Sequence, residues 1–145
     1  MRRISHALVE HGRATEWLTS GVLLTFGLTL ALPGDTMAAP TFHVLAGLGM
    51  DDASLSAPLT LVGTSRLAAL YINGSWKRSP MLRMVGAIIG AGVFGFLAVA
   101  FVLPMVVEGV PPSTGPGTYL VLALFDALAA HRSGADVRLA ATPRL

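Results

Sequence analysis

The sequence predicts an all-α, polytopic membrane protein with four transmembrane helices, and three observations lead to this prediction. The first is composition: 53% of the 145 residues are hydrophobic and only 12% are charged, whereas roughly a quarter are charged in ordinary globular domains. The second is a series of four apolar stretches, at residues 17–32, 56–72, 84–107 and 118–130. The third is the distribution of the basic residues along the chain.

The basic residues follow the positive-inside rule. If the amino terminus is cytoplasmic and each stretch spans, the outer connections hold no Lys or Arg, and the inner segments hold every basic residue except Arg66: Arg2, Arg3, Arg13, Lys77, Arg78, Arg83, Arg132, Arg138 and Arg144. The outer side carries acidic residues: Asp35, Asp51, Asp52 and Glu108. Both termini are therefore predicted to be cytoplasmic, with anionic lipids as partners of the inner cations. We expect no nucleic-acid binding, because the cations form no patch with interleaved aromatic residues.

The amino-terminal segment, residues 1–16, has an apolar helical face and predicts a short interfacial helix, with a solvated tail as the alternative. The first span follows at residues 17–32. It could also be read as a secretory signal, but Glu10 and Glu16 precede the apolar run and no clean small-x-small cleavage site follows it. We therefore expect this span to be retained.

The outer connection contains a short apolar patch from Phe42 to Met50. A patch of this length cannot cross about 30 Å of hydrocarbon, so it predicts an interfacial or re-entrant helix. In the second span, Ser56 is a candidate N-cap, and Pro58 fits the first helical turn.

The third span, residues 84–107, is the longest and most apolar, and Ser79-Pro80 repeats the cap-and-proline pattern before it. The fourth stretch, residues 118–130, is interrupted by Asp126, so it predicts either a span or a re-entrant segment. The membrane domain accordingly covers residues 17–131 and precedes a basic cytoplasmic tail at residues 132–145. Four aromatic residues are candidate anchors at the membrane interfaces: Trp17, Tyr71, Trp76 and Tyr119.

Arg66 and Asp126 are the two ionisable residues that this topology buries. A charge near the bilayer centre costs roughly 2.5 to 3.5 kcal/mol on insertion scales, so such residues usually face the bundle interior and pair. Both lie at matching depth on helices that run from outside to inside, which makes a salt bridge available. The pair could line a transport pathway or hold two helices in register, and Arg66 could instead extend to the headgroups.

Small residues recur at helical spacing in the third span. Gly86 and Gly90 form one row, and Ala87, Ala91 and Gly95 form the next. Rows of this kind allow close approach of helices in lipid. They predict either self-association of the protein or packing against another helix of the same chain.

The sequence contains no pattern that indicates an enzyme, a metal site or a cofactor. It has no cysteine, its four histidines are scattered, and no serine lies in a Gly-x-Ser-x-Gly motif. Residues 90–95 fit the spacing of a dinucleotide-binding fingerprint. That motif requires a strand and a tight turn before an amphipathic helix, whereas these glycines lie within an apolar span.

The segment from Arg66 to Arg83, RLAALYINGSWKRSPMLR, and the glycine-rich span that follows it to Gly95 carry a resemblance. A helix end reading Leu-Tyr-Ile-Asn-Gly, a Trp with a basic pair, and Arg-Ser-Pro opening the next helix resemble small multi-pass membrane proteins of tailed phages and prophages. The role of these phage proteins is unassigned; the resemblance implies a bacterial inner-membrane location and is compatible with a holin-like role in permeabilising the membrane, since holins are small, helical and oligomeric and have basic tails. A small channel or transporter subunit and a structural or accessory subunit are the alternatives.

Overall fold

The computed structural model describes residues 14–72 and 79–141, and no strand occurs among them. They form five α-helices and two short 3-10 turns, Thr36–Ala38 and Pro40–Phe42. The helices are α1 Ala14–Leu30, α2 His43–Gly47, α3 Asp52–Ile72, α4 Ser79–Val107 and α5 Gly115–Ala141. The predicted all-α class is thus confirmed for this part of the chain. The predicted interfacial helix falls largely outside the described residues, as does Trp76.

The four long helices form a bundle built from two antiparallel pairs. α1 packs mainly on α3, and α4 packs mainly on α5, with fewer contacts between the two pairs. We call α1 with α3 the first helix pair, α4 with α5 the second helix pair, and the surface where they meet the joint. The short helix α2 lies at one end of the bundle, which we call the α2 end.

Close backbone contact holds the first helix pair together, at Gly27 and Gly63. A Cβ atom on Gly63 would lie 2.6 Å from the backbone nitrogen of Leu24, and one on Gly27 would lie 2.6 Å from the backbone nitrogen of Thr60. Both distances are too short for any side chain, so the two helices approach this closely only because these positions are glycine. Sequence reasoning did not single out either glycine as a packing site.

The half of the bundle nearer α2 has an apolar core. Leu23, Leu30, Phe94, Leu97 and Leu122 are buried there and pack in one cluster. Next to them the Tyr119 ring packs on three aromatic rings, with centroid distances of 5.2 to 6.3 Å, from Phe26, Phe94 and Phe101. Of the described residues, the charged side chains that are buried between the long helices lie in the other half: Glu16, Arg66, Arg83 and Asp126.

Two of the helices are long and apolar enough to cross a membrane: α3, and Pro80–Val107 of α4. Only 22% and 39% of their most apolar 18-residue stretches are buried inside the protein. α1 has 17 residues and is about 25 Å long, and the later part of α5 carries four charged residues, Asp126, Arg132, Asp136 and Arg138. Four spans therefore stay a prediction.

α3 begins four residues earlier than predicted, and the proposed Ser56–Pro58 cap is wrong. Asp51 and Ser54 cap this end reciprocally: Asp51 Oδ1 accepts a 2.7 Å hydrogen bond from the Ser54 backbone N–H, and the Asp51 N–H donates to Ser54 Oγ at 2.9 Å. Ser56 and Pro58 consequently lie inside the helix. The hydrogen bonds from Ser54 also lower the pKa of the Asp51 carboxyl below its ordinary value.

The ends of other elements also differ from the prediction. α5 continues to Ala141, so the predicted tail boundary after His131 is not the end of a helix. The extra turns pack on the start of α4, since a Cβ atom on Gly134 would lie 3.4 Å from the sulfur of Met84. α2 lies within the Phe42–Met50 patch, where a short helix was predicted.

Candidate functional site

The structure brings Arg66 of α3 and Asp126 of α5 together in a buried ion pair. Arg66 Nη1 donates to Asp126 Oδ2 and Nη2 donates to Oδ1, each at 2.7 Å. Only 6% of the Arg66 side chain and none of the Asp126 side chain is exposed. Two parallel charge-assisted hydrogen bonds fix the relative position of the two groups more tightly than a single contact does.

Thr19 of α1 completes this site. Its hydroxyl donates to Asp126 Oδ1 at 2.6 Å and accepts from Arg66 Nη2 at 3.1 Å. Thr19 is fully buried. Sequence reasoning missed it, although it lies a few residues into the first span, on the side where Arg66 and Asp126 were placed. Three helices thus meet at one carboxylate.

The small residues of α4 make room for this ion pair. A Cβ atom on Gly90 would overlap Arg66 Nη1 and Asp126 Oδ2, and one on Gly86 would lie 3.1 Å from Arg66 Cγ. This row therefore packs within the chain, which was one of the two predicted readings. Of the second row, Ala87 is buried, while a Cβ atom on Gly95 would meet nothing within 4 Å.

A second buried ion pair, which the sequence did not predict, joins Glu16 of α1 to Arg83 of α4. Arg83 Nε donates to Glu16 Oε2 at 2.8 Å, and Nη2 donates to Oε1. The exposed fractions of the Arg83 and Glu16 side chains are 7% and 6%. Asp136 of α5 lies 3.9 Å from Arg83 Nη1. From the sequence, Arg83 is predicted only as one of the cytoplasmic cations, and Glu16 only as part of the amino-terminal segment.

Both ion pairs cross the joint. The first helix pair contributes Glu16 and Arg66, and the second contributes Arg83 and Asp126. Each pair of helices therefore presents one acidic and one basic group to the other. Electrostatic attraction across the joint is concentrated at these two points.

The enclosed space between the two ion pairs is small, and Arg66 also borders an open, largely apolar groove of about 390 Å³ between α3 and α4. A cavity of about 10 Å³ lies between the two ion pairs, lined in part by Ser20 and Gly86, and it has room for at most about one water molecule. Among the described residues, no group of three His, Cys, Asp or Glu side chains is arranged to hold a metal ion. The arrangement is thus suited to holding helices together.

The predicted interface anchors have different surroundings. Tyr71 is 84% exposed, and half-buried Trp17 lines an open apolar groove of about 590 Å³ on α1. Tyr119 instead belongs to the aromatic cluster near α2, so its ring serves packing inside the bundle.

Gly90 gives a direct test of how closely this site is packed. We expect Gly90→Ala to lower the free energy of unfolding by about 2 kcal/mol, because the added methyl group displaces the ion pair in a well-packed interior. Denaturant titration of the detergent-solubilised protein, followed by circular dichroism, measures the change.

Gly92→Ala is the matched control on the same helix, since its Cβ would meet nothing within 4 Å. It should be neutral or stabilise by up to about 1 kcal/mol, because alanine favours a helix interior over glycine. Equal effects of the two substitutions would show that the Gly90 contact is not required.

Comparisons of the chain with protein-family models, with curated proteins and with solved structures find no match.

Proposed function

We propose that this chain is a non-enzymatic, multi-pass protein of the bacterial inner membrane, of the phage type, that acts by associating with further copies of itself. Holin-like permeabilisation of the membrane is the most concrete version of this role. In this proposal the chain spans four times, and both termini are cytoplasmic. Lipid acyl chains surround the bundle, and anionic headgroups bind the basic inner segments.

The observation that carries the proposal is that charged side chains are buried inside the bundle while large apolar side chains cover its surface, the reverse of a water-soluble protein. The buried charges neutralise each other inside, whereas large apolar side chains on α4 and α5 point outward: Ile88, Ile89, Val99, Leu120, Leu124 and Leu128. A surface of this extent is unfavourable in water and favourable in lipid. In this proposal the outward surface of α4 and α5 is therefore in contact with lipid.

A single bundle offers no support for conduction. The core nearer α2 is apolar and closely packed, and the cavity beside the charges holds about one water molecule. Permeabilisation in this proposal therefore requires several copies. The alternative is a channel or transporter subunit that uses the Arg66–Asp126 pair directly. It has less support, because Arg66 and Asp126 already bind each other and the hydroxyl of Thr19.

A structural or accessory subunit is the second candidate, and one observation favours it. Each buried ion pair links the two helix pairs, so the charges have a sufficient role in holding the bundle together. This candidate predicts a partner membrane protein and no effect of the isolated chain on the membrane.

Induced expression in a bacterial host tests the leading proposal. We expect an abrupt loss of membrane potential once the protein exceeds a threshold density in the membrane, because association follows mass action. A potential-sensitive dye, read together with the amount of protein in the membrane fraction, provides the measurement.

The control is an unrelated four-span inner-membrane protein induced to the same membrane density, which accounts for the burden of overexpression. If membrane potential and viability stay unchanged while the protein accumulates in the membrane, the holin-like role is wrong and the accessory role is favoured.

A further inference from the structure

The joint between the two helix pairs differs from the packing within each pair. Within the first helix pair, backbones touch at Gly27 and Gly63. Across the joint, the polar contacts are localised at the Glu16–Arg83 and Arg66–Asp126 ion pairs. Each helix pair therefore has much of its packing within itself and meets the other pair through a smaller set of contacts.

A further polar contact crosses between the same two parts of the chain at the α2 end. His43 Nδ1 lies 2.9 Å from Glu108 Oε2, and the Phe42 ring packs against the Phe101 ring at a centroid distance of 5.1 Å. His43 precedes α3, and Glu108 directly follows α4. The segments beside the two helix pairs thus also meet, through one polar and one aromatic contact.

These charges make the two faces of the joint complementary between copies as well as within one chain. Every copy presents Glu16 and Arg66 on its first helix pair, and Arg83 and Asp126 on its second. The first helix pair of one copy can therefore pack on the second helix pair of another copy and form the same two ion pairs with it. Exchange of identical elements requires no new interface, which makes it a low-cost route to oligomers.

We propose that the chain oligomerises by exchanging helix pairs, so that Asp126 of one copy completes the Arg66 site of another. The ligand of this site is a second copy of the same chain. The inference deepens the self-association in the proposed function and rests on it. Because the contacts are the same in the closed and the exchanged forms, the density of protein in the membrane decides between them. Reciprocal exchange gives a dimer, and exchange that continues from copy to copy gives a larger assembly.

Charge reversal in two different copies tests the exchange. In a chain with Arg66→Asp, two carboxylates face each other, and in a chain with Asp126→Arg, two guanidinium groups do. We expect the membrane abundance of each variant alone to fall by about tenfold or more, because an unpaired buried charge is costly. An exchanged heterodimer of the two variants has two such sites. In one site, the aspartate at position 66 of the first copy pairs with the arginine at position 126 of the second. In the other site, the native Arg66 and Asp126 pair.

Co-expression should therefore restore both variants to within about twofold of the native abundance. The control is the double variant with both substitutions in one chain, which restores the charge pair in the closed form. If this double variant is abundant while co-expression gives no rescue, the ion pair forms only within one chain, and the proposal is overturned.

Cross-linking of otherwise native chains gives an answer even where the charge variants fail to fold. The chain has no cysteine, so one tagged copy can carry His43→Cys and a differently tagged copy Glu108→Cys. We expect a short bismaleimide to link the two tags in membranes, with a yield that rises with expression. Tyr71→Cys in place of Glu108→Cys is the control, because Tyr71 lies at the other end of α3.

If the two tags are never linked, while a single chain carrying both His43→Cys and Glu108→Cys is linked internally, the bundle stays closed and the proposal is wrong. Neither abundance nor cross-linking depends on membrane depolarisation. If the copies exchange helix pairs but induction does not depolarise the membrane, only the holin-like role is wrong. If induction depolarises the membrane but the copies do not exchange helix pairs, only this mode of association is wrong.

Discussion

Asp126→Asn is expected to lower the free energy of unfolding by roughly 3 to 5 kcal/mol, which is the cost of removing one partner of a buried ion pair. Arg66 keeps its charge inside the bundle, where 6% of its side chain is exposed, and loses the carboxylate that neutralises it there. Denaturant titration in detergent gives the change in stability, and the amount of protein in the membrane fraction gives its consequence in the cell.

Two double variants separate the loss of a partner from the loss of the pair. Arg66→Asp with Asp126→Arg restores opposite charges, and Arg66→Met with Asp126→Leu replaces the pair by apolar groups, a change that is often neutral or stabilising by about 1 to 4 kcal/mol. Both should be more stable than Asp126→Asn. If neither double variant is, the contact between Arg66 and Asp126 does not determine stability.

The same substitution distinguishes the functional alternatives. Where Asp126 only holds helices together, Asp126→Asn lowers abundance, and any remaining activity falls in proportion. A change in ion or proton flux per molecule, with abundance unchanged, would instead favour the channel or transporter alternative.

Gly63→Ala is expected to have the second largest effect, a loss of about 3 kcal/mol, at the upper end of the usual cost of overpacking. The added Cβ would lie 2.6 Å from the backbone nitrogen of Leu24 and 2.8 Å from its Cα. Backbone atoms cannot rotate away as a side chain can, so α1 and α3 must move apart. The shift in the midpoint of denaturant unfolding measures the effect.

Gly21→Ala is the matched control in the first helix pair, because a Cβ atom there would meet nothing within 4 Å. It should be neutral or slightly stabilising, by about 0.5 to 1 kcal/mol. A neutral Gly63→Ala would mean that the two helices are further apart than their contact at Leu24 indicates.

Several features could be read from the sequence because each depends on local composition or on position along the chain. Apolar stretches with few charges predict helices, and the structure has helices in all four stretches. The approach of Arg66 to Asp126 could be anticipated because both lie at similar depth in helices that run in the same direction. Helix boundaries were less accurate, since the Asp51–Ser54 cap depends on side-chain geometry that several serine and aspartate positions nearby could also provide.

Other features could not be read from the sequence. Glu16 and Arg83 each directly precede an apolar stretch, and either charge alone is compatible with a solvated membrane boundary. Thr19 resembles several other hydroxyl residues along α1, and only its position opposite Asp126 distinguishes it. Gly63 has leucine four positions away on either side, Leu59 and Leu67, so no small-xxx-small row marked it as a contact point.

The sequence by itself determined that the chain is helical and apolar, and it determined which charges are costly to bury, because composition and spacing along one helix decide both. The tertiary structure alone decided which helices are neighbours and how each is rotated about its axis. Contacts between helices depend on those rotations, which no local pattern of residues specifies. For this reason Thr19, Gly63 and Gly90 acquire their roles only when the helices are assembled.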